Sequence, residues 1–394
     1  MGNCLWNLWN RLDGHGRQET ENRIVEIEVE RRTDPRFDRA KGCIVGALCG
    51  DAAGAVLEFY EGKITKALCS KAIRMPGGGV FNVGPGQVTD DGELTMCLLH
   101  ALVNGKGKFK ETEVAKYYAE WYKSEPFDCG ITIGNALSVG NSKRPNPKDI
   151  KDEAYLRSKG SQSNGSMMRA TPLAVFCYNM KTGSAEDFNA KEWSQHKACV
   201  FEAAELDTSF THPSPAVHYV EGLYIYMITL IINGVKLADV YHTIIDEIYQ
   251  CDSKEYKDLI LDWVDKSNEK ELGSLEHQIG WMKHAFVCCL RYLRLAKESE
   301  DSKEPFSPTF YEDSMVEILM GGGDTDTNAC IAGGLIGAIV GFEGLPEIAK
   351  TKVLSWDNNK KKGHERPEFL VPKFYAENLI ERLYDSAPTG FEIG

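Results

Sequence analysis

Gly321–Phe342, GGGDTDTNACIAGGLIGAIVGF, is the stretch on which the fold class turns. A triple glycine runs into two aspartates two positions apart, and from Ala329 to Phe342 no residue carries a charge. That apolar run is too short for a membrane span and suits a helix buried on all sides of a protein core. Residues i and i+2 do not share a helix face. Asp324 and Asp326 therefore converge only if they sit in the turn or cap before regular helix, as the glycines permit. Thr327 adds a hydroxyl beside them. Alone, the pattern suits two roles equally: half of a metal site, or an acidic N-cap that complements the helix dipole. A second acidic turn elsewhere decides for the metal.

Such a turn lies in Met75–Val103, MPGGGVFNVGPGQVTDDGELTMCLLHALV. Its glycines and Pro85 forbid regular structure, and the apolar helical period starts at Leu94, which places Thr89, Asp90 and Asp91 on the turn opening a buried helix. Further upstream, RAKGCIVGALCGDAAGAVLEFY (Arg39–Tyr60) carries Gly46, Gly50 and Gly54 at four-residue spacing, one smooth helix face for close packing. Asp51 and Glu58 break this apolar run. Taken alone, Glu58 is expected at the surface end of the helix; the alternative is that it points at a cation. Glu58, Asp90, Asp91, Asp324 and Asp326 gathered in one place would repel one another unless divalent cations, two of them, lay between. Oxygen-only ligands favour Mg²⁺ or Mn²⁺ over Zn²⁺.

FDCGITIGNALSVGN (Phe127–Asn141) marks another turn and helix, with Asp128 as its expected cap. KGSQSNGSMMRATPLAVF (Lys159–Phe176) is a polar loop leading into an expected Met167–Phe176 helix. Such loops bind anions through backbone N–H groups at a helix start, although a plain turn fits the composition as well. Thr211-His212-Pro213 precedes a long apolar helix, Ala216–Ile232; a lone histidine there is ordinarily a satisfied cap or a surface residue. Leu237–Tyr249, Tyr256–Val264, His277–Leu295, Asp313–Met320, Ile348–Val353 and Phe374–Leu383 keep a helical apolar period, as does Val114–Trp121, and no run alternates as strands do. Ser299–Pro308 and Asn358–Pro367 read as charged surface loops. The expectation is an all-α fold of more than ten helices, a compact orthogonal bundle around a central di-metal site.

The chain has 394 residues, a formal net charge of −13 and a hydrophobic fraction of 42%, which suits a globular enzyme and argues against non-specific nucleic-acid binding. Its 12 cysteines show no CxxC pairs and read as reduced thiols of a cytoplasmic protein. There is no cleavable secretory signal, and no stretch is expected to be long enough to cross a bilayer. Residues 1–36 form an extension to a domain spanning 37–394. Its start, MGNCLWNLWNRL, offers Gly2 and Cys4 for acylation (myristate at Gly2) and an aromatic cluster for peripheral membrane association, with Trp6 where the myristoylation pattern has Ser or Thr. Thr20–Arg32 fits a linker, a strand or a helix.

Taken together, TDDGELT (Thr89–Thr95), GGDTDTNA (Gly322–Ala329), GALCGDAAGAVLE ending in Glu58, KGSQSNGSMMR (Lys159–Arg169) and Thr211-His212 resemble the ADP-ribosylglycohydrolase family, from about Phe37 to the C-terminus. The resemblance implies an all-helical, di-metal hydrolase that removes ADP-ribose from a modified protein and releases free ADP-ribose. On it, Thr89, Asp90, Asp91, Asp324, Asp326 and Thr327 hold two Mg²⁺ or Mn²⁺ ions, and Glu58 and Asp91 are the catalytic carboxylates. It assigns the loop Lys159, Gly160, Ser161, Gln162, Ser163, Asn164 and Gly165 to the diphosphate, His212 to phosphate or distal ribose, and Asp90 and Asp128 to substrate positioning. Gln162 stands where some relatives carry an aromatic. The SNGSMMRATP form is closer to arginine-directed members than to serine-directed ones. Rival readings are a catalytically silent ADP-ribose binder, a hydrolase of serine-linked or small-molecule ADP-ribose, and a di-metal phosphatase or nuclease; the last leaves the Lys159–Gly165 loop unexplained.

Overall fold

The computed structural model describes residues 33–141, 145–179, 190–303, 306–390 and 394; the readings at Gly2, Cys4 and Thr20–Arg32 lie outside them. Among the described residues the chain forms 16 α-helices and no strand, as the apolar periods predict. In chain order they are α1 (Pro35–Gly54), α2 (Lys66–Ala72), α3 (Asp90–Gly105), α4 (Glu111–Lys123), α5 (Ile131–Leu137), α6 (Pro147–Ser158), α7 (Thr171–Cys177) and α8 (Ala190–Thr208). The second half continues with α9 (Pro215–Ile232), α10 (Leu237–Tyr249), α11 (Lys254–Ser267), α12 (Met282–Ser302), α13 (Phe310–Met320), α14 (Thr325–Val340), α15 (Glu347–Ser355) and α16 (Pro372–Asp385).

The pairing of α1 with α14 organises the rest. Asp34 starts α1 by accepting the Arg36 amide at 2.9 Å, with Pro35 pre-set for the first helical position. Along α1 the glycine face meets the α14 backbone directly. A Cβ added at Gly46 would lie 2.5 Å from the Gly333 carbonyl oxygen, at Gly50 2.0 Å from that of Ala329, and at Gly54 2.3 Å from the Asp326 Cα. Gly42 extends the stripe, 2.3 Å from the Gly337 oxygen on the same construction. The order of these contacts makes the helices antiparallel, so the C-terminal end of α1 abuts the N-terminus of α14. Helix axes held apart by ordinary side chains sit about 8–10 Å from each other; glycine removes that spacer. Around this pair, α9 packs against α8, α1 and α14, while α3 packs between α4 and α16.

Several expectations need correction. Helix α3 begins at Asp90 rather than Leu94, so both of its aspartates occupy the first turn. Met167–Phe176 is not one helix: a 3-10 turn at Met167–Arg169 gives way to α7, because Pro172 lacks an amide hydrogen and fits only a first turn. Helix α12 starts at Met282, not His277, after Gln278 and Gly280 take positive φ of 55° and 80°, and it runs on to Ser302 through the start of the loop expected at Ser299–Pro308. Helix α6 escaped the apolar period because only Ile150, Ala154 and Ser158 are buried along it. Helix α9 is long and apolar enough to cross a membrane by length and composition, against expectation, and 83% of it is buried inside the fold. Asn358–Pro367 is not purely a surface loop either. The Arg366 guanidinium is buried, donating to Glu93 Oε1 at 2.7 Å and Oε2 at 3.1 Å and to the Ser124 carbonyl at 3.0 Å.

Candidate metal centre and binding cavity

The acidic turn at the head of α3 is fixed by Asp51, a fully buried residue of α1. Its carboxylate accepts the Thr89 amide at 3.1 and 3.0 Å, the Thr89 hydroxyl at 2.9 Å and the Gly92 amide at 2.8 Å. These donors are the ones a helix start leaves without intrahelical partners, so Asp51 caps α3 from another helix. Gly92 is required by the same contact: a Cβ there would lie 2.7 Å from Asp51 Oδ2. Thr89, the N-cap residue, makes no capping bond with its own side chain; its hydroxyl lies 3.1 Å from Asp91 Oδ2.

The second turn enters α14 through Gly322 and Gly323, both at positive φ, 69° and 71°. Asp324 is the N-cap residue, and Asp326 and Thr327 lie in the first turn. Asp324 Oδ2 accepts the Asn164 side-chain amide at 2.7 Å. Because α1 ends against α14, the turn after α1 delivers Glu58 to Asp326. Glu58 is buried, contrary to its expected place at the surface, and its Oε2 has no hydrogen-bond partner; Asp91 Oδ1 is likewise buried and unpartnered. Asp128 does not cap α5, whose N-cap is Gly130 without a side-chain bond. It turns instead toward the acids.

Two groups of carboxylates result. Asp51, Asp91 and Asp326 offer oxygens within 4.8 Å of one another, and so do Glu58, Asp128 and Asp326. Asp326 belongs to both. Burial raises the pKa of Asp90, Asp91 and Asp326 well above the ordinary value, and neighbouring carboxylates add to it, Asp128 for Asp90, Asp326 for Asp91 and Asp324 for Asp326. Burial followed by the charge of Asp326 drives Glu58 far upward too, and the hydrogen bond between these two favours Glu58 as proton holder. Asp51 is pushed up to about 7 by burial despite its donors, and Asp128 to about 6 by burial and the charge of Asp324. Unpartnered buried oxygens on carboxylates crowded into one place form the donor set of an oxygen-only cation site. The residues present fit a hard divalent ion.

A cavity of about 400 Å³ opens beside the acids. Glu58, Asp90, Asp128, Asp324, Asp326 and Thr327 line it together with Ser163, Asn164, Gly165 and His212, and Asn164 meets Asp324 directly. Thr89 and Asp91 are fully buried behind the wall. The loop 162–164 is held from the far side, the Asn164 amide donating to the Gly280 carbonyl at 2.9 Å and the Met282 amide to that of Gln162 at 3.0 Å. The front of the loop goes elsewhere. Gly160 and Gln162 border an adjacent hollow with Gln278 and Trp281, and the Lys159 ammonium lies 5.6 Å from the Tyr155 ring centroid. Ser161 reaches the cavity only through its hydroxyl, 3.1 Å from that of Ser163.

His212 is fully buried, with Nε2 2.8 Å from Ser163 Oγ; burial first and the charge of Arg169 second hold its pKa down to about 3. Asp51 is the acid whose role went unread in the sequence. Its signal was a charge inside an apolar, glycine-striped helix. Arg366 and Thr132 left no signal, since their partners are remote in sequence.

A sequence model described as ADP-ribosylglycohydrolase matches residues 32–386. A protein of Acanthamoeba polyphaga mimivirus named as an ADP-ribosyl glycohydrolase is 28% identical over 86% of this chain and 98% of its own. The ADP-ribosylhydrolase ARH3 of Mus musculus is 26% identical over 86% and 91%. The ADP-ribosylarginine hydrolase Tri1 of Pseudomonas putida is 23% identical over 89% and 79%. A solved structure, an ADP-ribosylglycohydrolase-related protein complex, superposes with a TM-score of 0.59 at 19% identity over 89% of this chain and 99% of that one, which supports the fold.

Proposed function

The chain belongs to the ADP-ribosylglycohydrolase family, a family of hydrolases acting on ADP-ribosyl linkages, and on that premise we propose that it removes mono-ADP-ribose from arginine side chains of modified proteins by hydrolysis at C1″. The observation that carries the reading is the position of Asp326 in both carboxylate groups on the wall of one cavity. A shared carboxylate suits two ions side by side, Mg²⁺ or Mn²⁺, held by Thr89, Asp90, Asp91, Asp324, Asp326 and Thr327, with Asp51 added from the structure. Bound there, such ions supply polarisation of water and hydroxyl oxygens.

The chain's own residues do the remaining work. Glu58, a buried carboxyl beside Asp326, donates a proton to the leaving nitrogen and takes one back from the water that adds at C1″. Asp128 orients the substrate from the same wall. Ser163, Asn164, Gly165 and His212 present polar groups to the diphosphate and distal ribose, and Lys159–Gln162 serve the outer part of the ligand. Arginine is favoured by the SNGSMMRATP sequence and by the likeness to Tri1.

Release of free ADP-ribose, measured side by side on arginine-linked, serine-linked and poly-ADP-ribosylated proteins with Mg²⁺ or Mn²⁺, tests this. The arginine substrate is expected to turn over fastest; faster turnover of another overturns the linkage, and full activity in EDTA overturns the metal site. We also propose a cytoplasmic protein acylated at Gly2 and Cys4 and held peripherally at membranes, on the sequence MGNC. Intact-mass measurement after eukaryotic expression is expected to show the added acyl mass, and an unmodified N-terminus rejects the idea.

A further inference from the structure

Behind the cavity lies a buried polar chain that the reaction does not touch. Asp207 Oδ1 accepts the Tyr118 hydroxyl at 2.6 Å and Oδ2 accepts Arg169 Nε at 3.0 Å, all three residues fully buried. Arg169 Nη2 donates to Thr211 Oγ1 at 2.9 Å, and that oxygen lies 2.8 Å from His212 Nδ1. A guanidinium can only donate, so Thr211 accepts from it and keeps its own hydrogen for the imidazole. The oxygen has a second lone pair that could take an Nδ1–H, but its own hydrogen would then have no acceptor among the described residues, so Nδ1 accepts. A neutral His212 consequently carries its proton on Nε2 and donates it to Ser163 Oγ at 2.8 Å. Were the ring doubly protonated, Nδ1–H would face a hydroxyl already accepting from Arg169, the Thr211 hydrogen would be stranded in the interior, and two cations would lie side by side.

The Ser163 oxygen thus accepts from His212, and its own hydrogen points to the open side, where Thr132 Oγ1 at 3.3 Å accepts it and Ser161 Oγ lies at 3.1 Å. A ligand oxygen entering the cavity competes with these two hydroxyls for that hydrogen. We propose that Arg169 and Thr211, neither of which lines the cavity, are positioning residues that set His212 in one tautomer and so keep the Ser163 hydroxyl a hydrogen donor, available to an acceptor oxygen of the ligand. The ligand half rests on the reading above, in which that oxygen belongs to the diphosphate or distal ribose of ADP-ribose. The relay has a direction: the hydrogens of Thr211, His212 and Ser163 all run away from Arg169, and each bond polarises the next. It also keeps His212 out of proton transfer. The ring is a spacer that transmits donor polarity.

The test reads the tautomer directly. Long-range ¹H–¹⁵N correlation on the whole chain is expected to show His212 neutral at about pH 7, protonated on Nε2 and bare on Nδ1. Thr211→Val removes the hydrogen that holds Nδ1 and is expected to mix the tautomers and weaken ADP-ribose binding by calorimetry roughly tenfold. Thr211→Ser should restore both, and helical circular dichroism checks that each variant folds. A wild-type His212 with its proton on Nδ1, or charged at neutral pH, overturns the relay with no variant needed; so does Thr211→Val matching Thr211→Ser in tautomer and affinity. If the wild type does not bind ADP-ribose with Mg²⁺ present, the functional reading falls and the ligand half of this proposal with it, while the nitrogen shifts still decide the relay.

Discussion

Glu58 and Asp51 show how far a single residue's environment departs from its local sequence. Both break the same apolar run, yet Asp51 caps a foreign helix and Glu58 lines the cavity beside Asp326. Replacement Glu58→Gln keeps shape and removes proton transfer; it is expected to lower kcat for ADP-ribose release by about 10²–10⁴-fold while leaving Mn²⁺ binding by calorimetry near wild type. Loss of Mn²⁺ binding along with activity would recast Glu58 as a ligand. The raised carboxyls also give the metal-free protein a defined pH response. A carboxyl whose folded pKa exceeds its unfolded value binds more protons in the native state, so stability falls as pH rises between the two values. Asp51 moves from 3.8 to about 7 and Asp128 from 3.8 to about 6. In EDTA the midpoint of thermal unfolding is therefore expected to drop as pH rises from about 4 to about 7, and saturating Mg²⁺ should flatten or reverse the trend. A midpoint that climbs through this window in EDTA would show that the cluster ionises freely.

At the scale of elements, the α1–α14 contact turns a spacing of glycines into the position of a site. Gly50→Ala puts a methyl 2.0 Å from the Ala329 carbonyl oxygen, where neither backbone can yield without separating the helices. Overpacking of this kind costs about 1–3 kcal/mol or more, and here it should also loosen Mn²⁺ binding, because Asp51 and Glu58 ride on α1 and the turn after it. Gly273→Ala, with nothing within 4 Å of the added carbon, is the control expected to change neither. The other decisive contact is Arg366 with Glu93, which ties the 358–367 loop to the helix carrying Asp90 and Asp91. Arg366→Ala leaves Glu93 buried with only the Trp121 indole donor at 2.8 Å, and a stability loss of about 3–5 kcal/mol by urea unfolding is expected. A loss below about 1 kcal/mol would mean that water replaces the guanidinium. The glycine face was legible because helix period and residue size are local. Arg366 was not, since a charged loop residue reads as solvated until its distant partner is known.

For the molecule as a whole, the cations are expected to be part of the fold as well as of the chemistry. Ions that bind only the native state stabilise it by mass action, about 2.7 kcal/mol at a concentration one hundred times the dissociation constant. Differential scanning calorimetry of EDTA-treated protein titrated with Mn²⁺ should show a concentration-dependent rise in the unfolding midpoint; a flat response would separate the acids from any metal. The all-helical class, the two acidic turns and the polar loop could be read along the chain, because apolar period, glycine clusters and charge within apolar runs are properties of neighbouring residues. Turn chemistry placed Asp90, Asp91, Asp324 and Asp326 at helix starts for the same reason. Folding in three dimensions settled the rest. It buried Glu58, recruited Asp51 as a cap, turned Asp128 away from its own helix toward the acids, kept Lys159–Gln162 off the lining of the cavity that Ser163–Gly165 share, and ran a donor chain from Arg169 to Ser163. Each of these depends on which backbone lies 2–3 Å from which glycine, or on an amide more than thirty residues away in the chain. Two stretches of Gly321–Phe342 illustrate the division: its apolar helix is a matter of composition, whereas the sharing of Asp326 between two groups of acids exists only where α1 lies against it.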